Sequence, residues 1–229
     1  MKRLVMGFSL ALAAAGASAQ VLTFDDVPFT QFPANHNGYE LENLPAFGSH
    51  YGNLKWSDQF SVLKATGYSD RVAGTPTNNG YINGLVSGDF VAFNGGAVPV
   101  SFEALTADGL FNFNSVHLGA AWYSGLSVAV EGFRDGVSVY STVVSALTYT
   151  GSTLVNFGWT KLDKVSFTSL ASPAGTPLDN FSTYNRAFVM DNLSVSAVPE
   201  PETYALMLAG LGLMGAITRR RKAGKSPAA

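Results

Sequence analysis

At 229 residues, with only 13% charged side chains but 16 Phe, 9 Tyr and 3 Trp, the chain has the aromatic content of one or two packed domains, which excludes a disordered polymer. The absence of cysteine excludes a thiol nucleophile, a thiolate metal site and a disulfide framework. Of 14 basic residues, seven sit at the two ends; the stretch between them holds 7 basic and 14 acidic residues, a net charge of −7 that excludes a nucleic-acid binder, which needs a basic face.

In chain order, Lys2 and Arg3 precede an apolar run from Leu4 to Ala15, followed by Gly16-Ala17-Ser18-Ala19. A basic start, a short apolar stretch and an Ala-x-Ala site are the layout of a secretory signal peptide over residues 1–19, cut between Ala19 and Gln20 by signal peptidase. The alternative is an uncleaved anchor, but the run is well short of the ~20 residues that span a bilayer.

From Gln20 to Ala197 no helical period holds over a long window. Short runs of Val, Phe, Tyr, Thr and Ser alternate with Gly, Asn, Asp and Pro, the pattern of strands and turns. The predicted strands are Val21–Asp25, Asp58–Leu63, Asp89–Phe93, Val100–Ala104, Phe111–Trp122, Ser127–Phe133, Ser138–Leu147, Thr153–Gly158, Lys164–Leu170 and Arg186–Ser196. Asp135-Gly136 between two of them reads as a hairpin turn, because such turns need positive φ at both central residues. Residues 35–53 read as a long rim loop. These features predict one all-β domain, a β-sandwich, over residues 20–197.

The tail begins with Val198-Pro199-Glu200-Pro201-Glu202, which resists both helix and sheet. An apolar segment over residues 204–218 follows, predicted as a single transmembrane helix, then a basic cluster over residues 219–225 that the positive-inside rule holds in the cytoplasm. In this order the three parts resemble the PEP-CTERM sorting signal, a tail also labelled as the C-terminal domain of ice-binding proteins. The resemblance covers residues 198–229, with Pro199, Glu200 and Pro201 as the motif. It implies that an exosortase recognises the tail and removes it near the motif. The protein would then pass through the inner membrane, be held there transiently, and end at the cell surface or outside the cell, in bacteria that make exopolysaccharide. A lasting C-terminal anchor is the alternative use of the same residues. More diffusely, Phe24-Asp25-Asp26, Phe111-Asn112-Phe113-Asn114-Ser115, Ala121-Trp122 and Phe188-Val189-Met190-Asp191-Asn192-Leu193 make the body similar to the jelly-roll bodies of PEP-CTERM proteins, which resemble galactose-binding and carbohydrate-binding modules.

Two constellations follow. Asp25 and Asp26 close the first predicted strand and Asp191 lies in the last; if those strands are neighbours, three carboxylates could gather a structural Ca²⁺, which takes six to eight oxygens. The competing role is capping of turns by side-chain bonds to backbone. Tyr39, Tyr51 and Trp56 cluster around the early loop and could stack on sugar faces, whereas Trp122 and Trp159, inside strands, are expected in the core. His36, His50 and His117 show no zinc spacing. No nucleophile elbow, phosphate loop or dinucleotide fingerprint occurs. The expected function is therefore non-enzymatic: an exported, exosortase-sorted surface or matrix protein that binds polysaccharide. The alternatives are a structural biofilm protein without sugar binding and, behind it, an exopolysaccharide hydrolase.

Overall fold

The structure is a computed structural model that describes residues 19–27, 41–43, 50–68, 78–105, 109–170, 186–198 and 208–217. Thirteen strands are described: β1 Ala19–Leu22, β2 Leu41–Asn43, β3 His50–Tyr51, β4 Leu54–Trp56, β5 Phe60–Lys64, β6 Phe90–Asn94, β7 Val100–Ala104, β8 Phe111–Ala120, β9 Leu126–Arg134, β10 Val137–Leu147, β11 Thr153–Leu162, β12 Lys164–Ser169 and β13 Phe188–Ala197. They form two antiparallel sheets. One runs β11-β8-β13-β6-β5-β2, with β1 added beside β13; the other runs β10-β9-β12-β7-β4-β3. From β5 onward the chain crosses repeatedly between sheets, which is the jelly-roll-like sandwich expected.

Period-two patterning explains the layering. On β9, Leu126, Val128 and Val130 are buried and their neighbours half-exposed; β8 buries Phe111, Phe113, Val116 and Leu118 in the same way. Together with Phe60, Phe102, Phe167 and Phe188 these side chains fill the space between the sheets. Each contributes roughly 1.5–3 kcal/mol through burial. At Asp135 and Gly136 both φ angles are positive, 52° and 75°, as the hairpin between β9 and β10 requires.

All ten predicted strands occur, with shifted ends. The first is displaced: it spans Ala19–Leu22, so Asp25 and Asp26 lie beyond it in a turn. The stretch read as a rim loop holds β2 and β3, too short to show alternation. A one-turn helix, α1 (Gly80–Asn83), was also not foreseen. Asn79 caps it, its Oδ1 accepting from Tyr81 N at 3.0 Å and Ile82 N at 3.3 Å. Through Tyr81 it covers Leu63, Val91 and Val189 on the outer face of the β8–β13 sheet, making a second small core.

Strand β10 forms one end of its sheet among the described residues. Its 11 residues carry neither charge nor proline, and Val143 is 51% exposed. A long uncharged edge is a template for pairing with another chain. Val143→Lys is expected to raise the concentration at which the protein stays monodisperse by light scattering, with an unchanged melting temperature. A wild-type protein already monodisperse at millimolar concentration would show that the edge is closed by other means.

Candidate functional site

The corner where the chain enters the body is built on Tyr51. Its hydroxyl accepts from Phe24 N at 3.0 Å and donates to Asp26 Oδ1 at 2.6 Å. Burial, reinforced by the Asp26 carboxylate, pushes the Tyr51 hydroxyl well above its usual pKa. Trp56 donates its ring N–H to Tyr51 O at 2.9 Å and is only 2% exposed, wedged between Phe24, Phe60 and Phe102. Trp56 is thus buried away from any sugar face, while Tyr51, only partly buried, braces the corner through its hydroxyl. Tyr39 lies outside the described residues. Trp159 is buried on β11, and Trp122, partly buried in the bend after β8, packs on Tyr81.

The three aspartates divide between two tasks. Asp25 Oδ1 accepts from Asp89 N at 2.7 Å and Phe90 N at 3.2 Å. Fully buried Asp191 accepts from Val86 N at 2.7 Å and Ser87 N at 3.0 Å through Oδ2, and from Asn192 N at 2.6 Å through Oδ1. Asp25 and Asp191 therefore hold one loop, 84–90, from two sides, while Asp26 is turned to Tyr51. Burial pushes the Asp191 carboxyl up to about 6, against three N–H donors that favour the charged form, and the Asp25 charge adds to the rise. Among the described residues no three acidic or histidine side chains are placed to hold a metal. The calcium centre expected from Asp25, Asp26 and Asp191 does not fit this geometry: the carboxylates are spent on backbone N–H groups and a tyrosine.

On the outer face of the β8–β13 sheet, below α1, lies a strip that sequence reasoning missed. Asn112, Asn114, Ser115 and His117 of β8, Asn156 of β11, and Ser194 and Ser196 of β13 lie across three adjacent strands. Asn112 Nδ2 donates to Ser196 Oγ at 3.2 Å, and Asn114 Nδ2 to Ser194 Oγ at 3.4 Å. Partial burial lowers the His117 pKa, so its imidazole is neutral at pH 7 and the strip carries no charge. Leu154 and Val21, each about half exposed, flank it. The signal was present in the run Phe111-Asn112-Phe113-Asn114: rings alternate inward, amides outward.

At the lower end of the sandwich the first and last described strands meet. β1 and β13 pair antiparallel with Ala19 opposite Ser196. Cleavage after Ala19 would start the mature chain on the second residue of β1. A groove of about 370 Å³ opens beside this pair, lined by Gln20, Gly52, Leu105, Leu110, Phe111 and Ala197. Val198 N donates to Leu110 O at 3.1 Å, so the described body runs up to the residue before Pro199. Pro199, Glu200 and Pro201 lie outside the described residues. A described helix covers 208–217; none among the described residues is long and apolar enough to cross a membrane.

No curated protein matches the chain. In fold it is similar to a DUF4465 family protein from Bacteroides caccae, at 12% identity and TM-score 0.49 over 79% of this chain and 100% of that one. A DUF4465 family protein from Bacteroides ovatus gives 9% identity and TM-score 0.47 over 79% and 99%. A family 29 carbohydrate-binding module variant gives 12% identity and TM-score 0.30 over 80% and 93%. The tail is the specific finding: residues 197–222 match the PEP-CTERM protein-sorting motif, which begins where β13 ends. The chain is an exported β-sandwich protein that carries this exosortase-directed sorting tail.

Proposed function

We propose that the protein is a non-enzymatic surface or extracellular-matrix component that binds neutral polysaccharide through the amide–hydroxyl strip on β8, β11 and β13. The observation that carries the reading is the strip itself. Asn amides offer donors and acceptors in the planar arrangement that sugar hydroxyls match, and serines add short-range partners. Leu154 and Val21 supply apolar surface for the C–H faces of a sugar. A neutral strip on a body of net charge −7 disfavours uronic-acid polymers, which like charge would repel.

Affinity electrophoresis of the residue 20–198 body through gels containing neutral β-1,4-linked glucan, mannan or galactan tests the reading. Retardation by at least one polymer is expected, barely changed between 50 and 500 mM salt. The double change Asn114→Ala with Asn156→Ala should weaken it about tenfold, two neutral hydrogen bonds being worth roughly 0.5–1.5 kcal/mol each. Ser141→Ala, on the other sheet, should leave it unchanged. Free migration through every polymer would sink the proposal. It would leave the structural matrix role, for which the uncharged β10 edge is the favouring observation.

A further inference from the structure

The pairing of first and last strands fixes how the body must sit before its tail is removed. Ala19 and Ser196 are antiparallel neighbours, so both segments that flank the body leave it from one end. Val198 is tied to Leu110, and the apolar segment begins at residue 204. Five residues, 199–203, separate the two. The six Cα–Cα steps from residue 198 to residue 204 reach at most about 22 Å at ~3.3–3.6 Å each.

The register shows what shares this end. Leu162 lies opposite Phe111, which itself pairs with Ala197. Lys164 lies opposite Phe133 and Glu103. The 134–137 turn, the groove and the 42%-exposed Leu105 are therefore at the tail's end of the sandwich. The 121–125 turn, after the far end of β8, is at the other. Ten-residue strands separate the two ends by ~33 Å.

We propose that in the tail-bearing precursor the groove end faces the lipid headgroups at close range, with the 134–137 turn against the bilayer and the 121–125 turn pointing away. The orientation rests on the reading of residues 204–218 as membrane-inserted. A sorting enzyme reaching the motif then works in a gap of at most about 22 Å between lipid and sandwich.

The chain has no cysteine, so single reporters are clean. Full-length Val137→Cys and Ser124→Cys variants, both at exposed positions, are expressed in a bacterium without a sorting enzyme, and intact spheroplasts are labelled with a ~5 kDa polyethylene glycol maleimide. Rates in detergent set each position's intrinsic reactivity. In the membrane the Val137→Cys variant should label at least fivefold slower than the Ser124→Cys variant after that correction. Inserting 20 Gly/Ser residues between Val198 and Pro199 should bring the ratio back to about one, because such a linker reaches ~25 Å and reorients freely. Ser138→Cys serves if Val137→Cys does not fold. Equal labelling in the membrane-bound precursor without the spacer overturns the orientation. A precursor recovered in the soluble fraction overturns the anchor itself, and the orientation with it.

Discussion

Gly80→Ala should destabilise the protein on the order of 3 kcal/mol and lower its melting temperature by roughly 10 °C. A methyl carbon at this position would lie 1.7 Å from the carbonyl oxygen of Ala120. That oxygen belongs to the last residue of β8, in the middle of a paired sheet, and has nowhere to go. Helix α1 would have to lift instead. Lifting breaks the bond from Gly80 N to Ala121 O at 2.7 Å and that from Asn83 Nδ2 to Tyr149 O at 2.9 Å, and it uncovers Tyr81, Val91 and Val189. Gly151→Ala, where an added carbon meets nothing within 4 Å, is the control and should stay within about 0.5 kcal/mol of wild type. Urea unfolding followed by tryptophan fluorescence reads both. Equal midpoints would show that α1 does not press on the strand end.

Asp191→Ala carries the next largest effect, about 3 kcal/mol. The change removes a fully buried side chain and with it the acceptor of three part-buried backbone N–H groups, those of Val86, Ser87 and Asn192. A pH dependence accompanies it. Unfolded, the carboxyl titrates near 4; folded, burial raises it to about 6. Between those values the folded state holds a proton that the unfolded state has lost, so stability falls as pH rises through the window. The contribution is complete below pH 4 and gone above pH 6. Melting temperatures across this range should show a downward component of a few degrees for wild type relative to Asp191→Asn, which has no carboxyl to titrate. Parallel curves for the two proteins would mean that Asp191 ionises in the folded state as it does in water.

Much of the fold was legible because strands such as β8, β9 and β12 state their period over six or more residues. Strands β2 to β4 and helix α1 span two to four residues each, too few for any period to be counted. Trp56 was misread for a related reason. Tyr51 and Trp56 stand among Gly52 and Asn53, which signal a turn, and nothing local shows that β4 aims Trp56 into the core. For Asp25 and Asp191, sequence order did foretell proximity: both grip the 84–90 loop. It could not foretell that backbone N–H groups, rather than a cation, would take their oxygens. The sorting motif was legible because its meaning lies in the order of residues rather than in a tertiary arrangement.

The position of β13 has a mechanical consequence. It is the strand from which the tail departs, yet it is an interior strand, held along one side by β8 and along the other by β1 and β6. A body attached to a surface through residue 198 and loaded on its outer strip would carry tension along β13. Its ladders would then be strained in shear, with many hydrogen bonds resisting together, instead of being peeled apart singly. Peeling would need force applied between the two termini, and a chain already freed from its leader has no tether at the first of them.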